Sequence, residues 1–435
     1  MYRNSIKDLI DWKNRQEKKP LIIKGARQVG KTWLMKEFGK NEYKNFAYIN
    51  FEGNERMHRL FSGDMNIRRI ITGLQIEADC KINAEETLII FDEIQECPKA
   101  LASLKYFYEN TPEYNIVAAG SMLGIALHNG TSFPVGKIEF MELYPLSFFE
   151  FLKALGENDL LMLIDKLDFE LIKTFKNKYI DLLRQYYFVG GMPEIVSTFV
   201  QTQDFTKVRN IQQTILMSYE QDFSKHVPHS TVPKLRMLWN SVPSQLTKEN
   251  KKFIYGLIRK GARAKEYEAA LTWLCDCGLV YKINRISKPG LPLKAYEDIG
   301  AFKLFVLDVG LLSAMSELDI RTLLDGDKIF EEFKGALTEQ YVLQQLQGIK
   351  DLPIFYWTND RGIAELDFVV QSGKEVIPIE AKATTNLQAK SLKTYREKFD
   401  PKISIRTSTA DYKYDAGLYD VPLFIIEAMS SIINL

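Results

Sequence analysis

The stretch that most constrains this chain is Leu21-Ile22-Ile23-Lys24-Gly25-Ala26-Arg27-Gln28-Val29-Gly30-Lys31-Thr32. It reads as a short apolar strand, a loop bounded by glycines, and a helix beginning near Lys31. Gly25, Gly30, Lys31 and Thr32 satisfy the G-x-x-x-x-G-K-[ST] spacing. The spacing has a chemical reason. Glycines let the backbone curl until several N–H groups face one phosphate, and the helix behind adds its positive dipole end. The amides of Gly25, Ala26, Arg27, Gln28, Val29 and Gly30 are therefore the expected cradle for ATP. Lys31 would reach the β- and γ-phosphates, and the Thr32 hydroxyl would ligate magnesium. The alternative is a chance match in a glycine-containing turn. The apolar strand before it, the helical spacing of Trp33 to Phe38 after it and an acidic strand downstream weigh against chance.

That acidic strand is Glu86-Thr87-Leu88-Ile89-Ile90-Phe91-Asp92-Glu93. Four consecutive apolar residues mark a strand buried on both faces, as parallel sheets require. Its C-terminal edge, where open α/β sheets bind ligands, carries Asp92 and Glu93. Asp92 is placed to hold magnesium, and Glu93 to orient and polarise an attacking water. The competing reading is a pair of acids facing solvent. A further strand, Asn115 to Ala119, ends in Gly120-Ser121. Ser121 is the candidate sensor of the γ-phosphate, with capping of the next helix as its alternative. Asn45 to Glu52 and Lys137 to Leu143 complete the strands, and Met1 to Pro20 should form an amphipathic helix with Ile6, Leu9, Ile10 and Trp12 inward. Strands alternating with helices predict an α/β fold, a parallel sheet covered on both faces.

At 435 residues the chain should hold two to four domains. With 46% hydrophobic and 26% charged residues it is a globular composition, not a disordered one. A net charge of +1 provides no global field toward nucleic acid, so any such contact must come from a local patch. Cys80, Cys97, Cys275 and Cys277 form no disulfide framework in a chain this long, and the C-x-C pair lacks nearby histidines for zinc. Charges run throughout Met1 to Pro20, leaving no signal core. The longest weakly polar run, Ile116 to Leu127, is too short to span a bilayer. The expectation is no membrane partner and a cytoplasmic location.

Leu143 to Leu183 has helical spacing and reads as a lid or connector. Gly190-Gly191-Met192-Pro193 is a sharp turn, a boundary or a hinge. Lys234 to Arg285 suggests three helices and a hairpin, the order of a winged helix, with Ala264 to Leu274 as reader and Leu279 to Ile283 beginning the wing. Lys248, Lys251, Lys252, Arg259, Lys260, Arg263 and Lys265 cluster there, with Lys282, Arg285 and Lys288 on the wing. Such a stripe would bind DNA phosphates. It reads equally as a solvated basic face on a domain that contacts protein. In the last quarter, Glu339 lies on a helix, Asp367 on a strand, and Glu380 and Lys382 on the returning strand of a hairpin turning at Ser372-Gly373-Lys374. Alternation puts Glu380 and Lys382 on one face, and hairpin pairing brings Asp367 near. Asp followed by Glu-x-Lys is the constellation of PD-(D/E)xK nucleases. There Asp367 and Glu380, joined by Glu339, would hold magnesium, and Lys382 would stabilise or deprotonate the nucleophile. The alternative keeps the fold and its ion pairs without cutting anything.

The segments GARQVGKT, LIIFDEIQE, AAGSMLG and FPVGKIEFMELYPLSFFEF resemble AAA-superfamily ATPases of bacteria and archaea that carry a C-terminal domain of unknown function (DUF4143-type). Gln185 to Glu194 resembles the signature opening that second part. The resemblance implies a P-loop ATPase domain at 1–145, a helical lid or connector at 146–230, a winged helix at 231–290 and a restriction-endonuclease-like α/β domain at 291–435. The first function reading is ATP hydrolysis coupled to a DNA-binding tail, with DNA cleavage by that tail left open, and AAA relatives make a homo-oligomer one option. A second function reading is a nucleotide-dependent signalling or assembly switch whose nuclease-like domain is an inert protein-interaction scaffold. Lys137 departs from the arginine expected in the FPVGK turn. A lysine cannot form the planar fork of an arginine finger.

Overall fold

The computed structural model describes residues 2–121, 134, 136–248, 252–325, 331–359, 364–385 and 389–433. The chain divides into two compact units, Tyr2–Tyr144 with Asp276–Leu279, and Pro145–Cys275 with Val280–Leu435.

The first unit is built on five strands, β1 (Leu21–Lys24), β2 (Asn45–Asn50), β3 (Thr87–Asp92), β4 (Asn115–Ala119) and β5 (Glu139–Glu142). All pair in parallel, in the order β2-β3-β4-β1-β5. Every residue of β3 and β4 is buried, which is why their apolar runs are unbroken. Between strands come the helices Lys31–Glu42, Glu55–Ser62, Ile67–Ala78 and Pro98–Asn110. Asn54 and Asn66 cap the second and third of these by accepting from Met57 N and Arg69 N, each hydrogen bond stabilising by about 1 kcal/mol. On one face Phe51, Phe61 and Phe91 meet edge to face at 5.3–5.9 Å. The N-terminal helix is shorter than the sequence suggests, Ser5–Lys13, and buries Leu9 and Trp12.

The second unit holds the helices Phe148–Ala154, Asn158–Asp165, Phe169–Thr174 and Lys176–Val189 where a lid or connector is expected. Gly190 and Gly191 follow as a turn fixed inside this unit. A Cβ on Gly191 would lie 2.1 Å from the Leu146 carbonyl oxygen, and its N–H donates to Asp308 Oδ2 at 2.6 Å. The region Lys234 to Arg285 contains the helices Val232–Leu246 and Ala264–Asp276, then β6 (Val280–Ile286), which pairs antiparallel with β7 (Glu297–Val306). These two strands are not a separate wing. β6 also pairs in parallel with β8 (Ile354–Thr358), and β7 and β6 form one edge of an eight-stranded mixed sheet that continues from β8 through the strands Glu365–Ser372, Glu375–Ala381, Ser404–Ser408, Leu418–Pro422 and Lys413–Asp415 in that order. The expected boundary at 290 thus falls between two paired strands. The remaining strands are β9 (Glu365–Ser372), β10 (Glu375–Ala381), β11 (Ser404–Ser408), β12 (Lys413–Asp415) and β13 (Leu418–Pro422). The helix Glu331–Gln347 packs against this sheet.

Candidate functional site

The loop between β1 and the helix Lys31–Glu42 is shaped by residues in unusual backbone conformations. Gly25 has φ +148°, and a Cβ there would sit 2.3 Å from the Leu143 carbonyl oxygen, so no other residue fits. Gln28 and Gly30 are also left-handed, at φ 67° and 93°. Lys31 folds back into the loop, donating to the carbonyls of Gly25 at 2.8 Å and Ala26 at 2.7 Å. Burial pulls its ammonium down to about 8, against the raising influence of Glu93 and Asp92. A ligand with phosphate oxygens in the loop would reverse that pull by giving the charge a partner.

Strands β3 and β4 end beside this loop. Thr32 Oγ1 donates to Asp92 Oδ2 at 2.7 Å, and the Tyr48 hydroxyl of β2 donates to the same oxygen at 2.9 Å. Burial, and then Asp92, raise the Tyr48 hydroxyl well above its ordinary value, so it stays a donor. Glu93 takes a left-handed backbone, φ 49°, which turns it out of the strand. Its Oε2 accepts from Gln95 Nε2 at 2.6 Å and from Ser121 Oγ at 3.2 Å, while Arg27 Nε donates to Ser121 Oγ at 3.4 Å. Lys31, Thr32, Asp92, Glu93 and Ser121 are therefore brought together at the ends of β1, β3 and β4. Tyr48, Gln95 and the Arg27 side chain are not foreseeable in these roles from the motif. Only their positions at strand ends and within the loop hint at them. Residues after Ser121 that a cap would serve lie outside the described residues, as do Met122 to Gly124 and Phe133 and Val135 of the FPVGK turn. Lys137 pairs with Glu109 at 3.1 Å.

The second unit gathers another polar cluster, largely buried in the large sheet. Asp367 Oδ2 accepts from Ala381 N at 2.8 Å, so the hairpin brings Asp367 to the Glu380 strand as expected. Lys382 Nζ lies 2.6 Å from Glu380 Oε1. Burial raises the Glu380 carboxyl, opposed by Lys382. For Lys382 burial lowers the ammonium, but Glu380 outweighs it and the net direction is up. At the centre stands a residue outside the motif. Lys303 of β7 is fully buried, with Nζ 2.5 Å from Glu365 Oε1, 3.6 Å from Glu339 Oε2 and 4.0 Å from Asp367 Oδ1. Burial alone would depress it, yet Glu339, Glu365 and Asp367 hold it well above the ordinary lysine value. The sequence does carry a signal, since Lys303 is the one charged residue in the apolar run Ala301 to Leu307. Among the described residues no group of three or more His, Cys, Asp or Glu is arranged to hold a metal ion.

Of the basic stripe, Lys252, Arg259, Lys260, Arg263 and Lys265 are exposed. Lys248 is half-buried, and Lys251 lies outside the described residues. Arg259 lies 3.8 Å from Glu266, Arg285 lies 2.5 Å from Asp298, and the Lys282 and Lys288 ammonium groups sit over Phe302 and Tyr296. None of the four cysteines is in a disulfide. Among the described residues no helix is long and apolar enough to cross a membrane.

A five-stranded parallel sheet with a glycine-bounded loop at the mouth of its β1 and an acid at the end of β3 defines a P-loop module of the α/β class. A family model described as an AAA domain matches residues 17–152, and models of two domains of unknown function, DUF8612 and DUF4143, match 180–322 and 334–426. The chain thus joins an AAA domain, with the fold of AAA-type ATPases, to a C-terminal DUF4143 domain. Comparison with curated proteins gives no match. Similar solved structures include a Walker-type ATPase of Pyrococcus abyssi, at 15% identity over 72% of this chain and 95% of that one, TM-score 0.47. The Aeropyrum pernix Orc1 protein in complex with DNA is similar at 10% identity over 73% and 93%, TM-score 0.28. The Thermotoga maritima RuvB Holliday junction branch migration motor is similar at 11% over 65% and 90%, TM-score 0.29.

Proposed function

We propose that this chain binds and hydrolyses ATP in the loop 25–32 and uses the nucleotide state to govern a DNA-binding second unit. One observation carries the catalytic part, the convergence of Thr32, Asp92, Glu93 and Ser121 at the ends of β3 and β4. The loop amides hold the triphosphate, and Lys31 exchanges its two carbonyl partners for the β- and γ-phosphates. Thr32 and Asp92 present two hard oxygen donors, a set that suits magnesium, and these residues would hold it. Magnesium, when bound, supplies charge neutralisation of the phosphates. Glu93, steadied by Gln95 and Ser121, orients the attacking water and receives its proton. Ser121, touching both Arg27 and Glu93, reports whether a γ-phosphate is present.

The exposed cations Lys252, Arg259, Lys260, Arg263 and Lys265 support the DNA part as a phosphate-tracking surface. In this reading the protein works in the cytoplasm, with its four thiols reduced, and self-association would add cations to the nucleotide site. A second reading, a nucleotide switch whose nuclease-like region is an inert scaffold, is favoured by the Lys303 ion pairs. The test is ATP turnover with and without duplex DNA. Glu93→Gln should lower kcat at least about 100-fold with ATP still bound. Lys31→Ala should weaken ATP binding about 10- to 150-fold, because a charged hydrogen bond to phosphate is removed. Unchanged turnover in Glu93→Gln, or unchanged affinity in Lys31→Ala, would remove the assignment. A DNA-independent rate together with no DNA binding would leave the switch.

A further inference from the structure

We infer that Lys303 occupies the cation position of the carboxylate cluster, so that Glu339, Glu365 and Asp367 close around an internal ammonium instead of a divalent metal ion. Four observations on this unit converge. Lys303 Nζ lies within 2.5–4.0 Å of one oxygen from each of the three carboxylates, which come from β9 and the helix Glu331–Gln347. A magnesium ion needs such oxygens at about 2.0–2.1 Å in near-octahedral array, and it would meet the ammonium at close range. Lys303 is fully buried on β7, and the Tyr356 ring faces its Nζ at 5.0 Å, so the ammonium sits away from solvent. Asp367 commits its second oxygen to the Ala381 amide, and Glu380 is paired with Lys382.

The consequence is a function for the lysine and a different role for the motif. Asp367, Glu380 and Lys382 keep the D, E-x-K spacing, but their charges serve the fold, with Lys303 tying β7 to β9 and to the helix that carries Glu339. Such a domain offers a rigid surface and no metal-activated water. It also follows that the neutral, similarly sized variant Lys303→Met uncovers a divalent-cation site that the natural chain lacks. This charge lock stands independently of the nucleotide site.

The test counts Mn2+ bound to the full-length, nucleotide-free protein by electron paramagnetic resonance, so that any contribution from the P-loop is common to every variant. The natural chain and Asp367→Asn should bind the same number of ions. Lys303→Met should gain one, with a Kd at least tenfold tighter than any natural site, and lose it again in Lys303→Met/Asp367→Asn. Mn2+ should raise the Tm of Lys303→Met by more than it raises that of the natural chain. Loss of one ion on going from the natural chain to Asp367→Asn would overturn the inference. So would a folded Lys303→Met that gains none, or plasmid cleavage by the natural chain that Asp367→Asn abolishes. If Lys303→Met does not fold, the natural chain against Asp367→Asn decides, an equal count supporting the lock and a lower one refuting it.

Discussion

Glu427 offers a pH experiment on the second unit. It sits at the start of the helix Phe148–Ala154, accepting from Ser147 Oγ at 2.8 Å and from Phe149 N at 3.1 Å. Burial pushes its carboxyl up to about 8 from an ordinary 4.5, opposed by Ser147 and Phe149 and reinforced by Glu150. The folded chain therefore keeps a proton that the unfolded chain releases near 4.5. Between those values the native state binds more protons, so stability must fall as pH rises, and the loss is complete above about 8. At about 1.4 kcal/mol per pH unit, the ceiling is about 5 kcal/mol. Glu427 is only half-buried by its own surface, so solvent screening should reduce this to about 1–3 kcal/mol. Glu427→Gln retains an oxygen to accept from Phe149 and has no proton to lose. Thermal unfolding from pH 5 to 8.5 should show the variant pulling ahead as pH rises, by about 2–4 °C for each kcal/mol. Parallel Tm curves for the two proteins would refute the reasoning.

Gly191→Ala should destabilise by at least about 2 kcal/mol, because its Cβ meets the Leu146 backbone at 2.1 Å and backbone cannot step aside; urea unfolding within 0.5 kcal/mol of the natural chain, on the order of an ordinary surface change, would contradict this. Replacing Lys252, Arg259 and Lys260 by neutral residues should flatten the dependence of DNA affinity on salt by about 0.9 for each phosphate no longer neutralised. An unchanged slope would place the DNA-binding surface elsewhere.

What is legible in the sequence is what local chemistry decides. The loop 25–32, the buried run of β3 and the acids at its end are each set by neighbours in the chain, and they fall within a residue or two of the expected places. The wing misleads because pairing is not local. Leu279 to Ile283 looks like any hairpin strand, and nothing nearby says that Arg285 and Ile286 will pair with Tyr356 and Trp357. Lys303 is hidden for the same reason, since its partners lie on later elements that only the folded topology brings close.

The helix Glu331–Gln347 carries the lesson furthest. Its buried face includes Glu339, Gln340, Gln344 and Gln345, polar side chains that a periodicity argument would send to solvent. Each of the three glutamines has work that backbone geometry leaves undone. Gln340 accepts from Val306 N at 3.0 Å and donates to Val306 O at 2.6 Å, treating the edge strand β7 as a further strand would. Gln344 accepts from Val309 N at 2.9 Å and donates to Asp308 at 3.0 Å, and Gln345 accepts from Phe148 N at 2.8 Å. An apolar helix here would cover the sheet equally well and strand those groups, at about 1–3 kcal/mol for each one left unsatisfied. The polarity that disguises this helix as a surface element is thus the reason it can be buried.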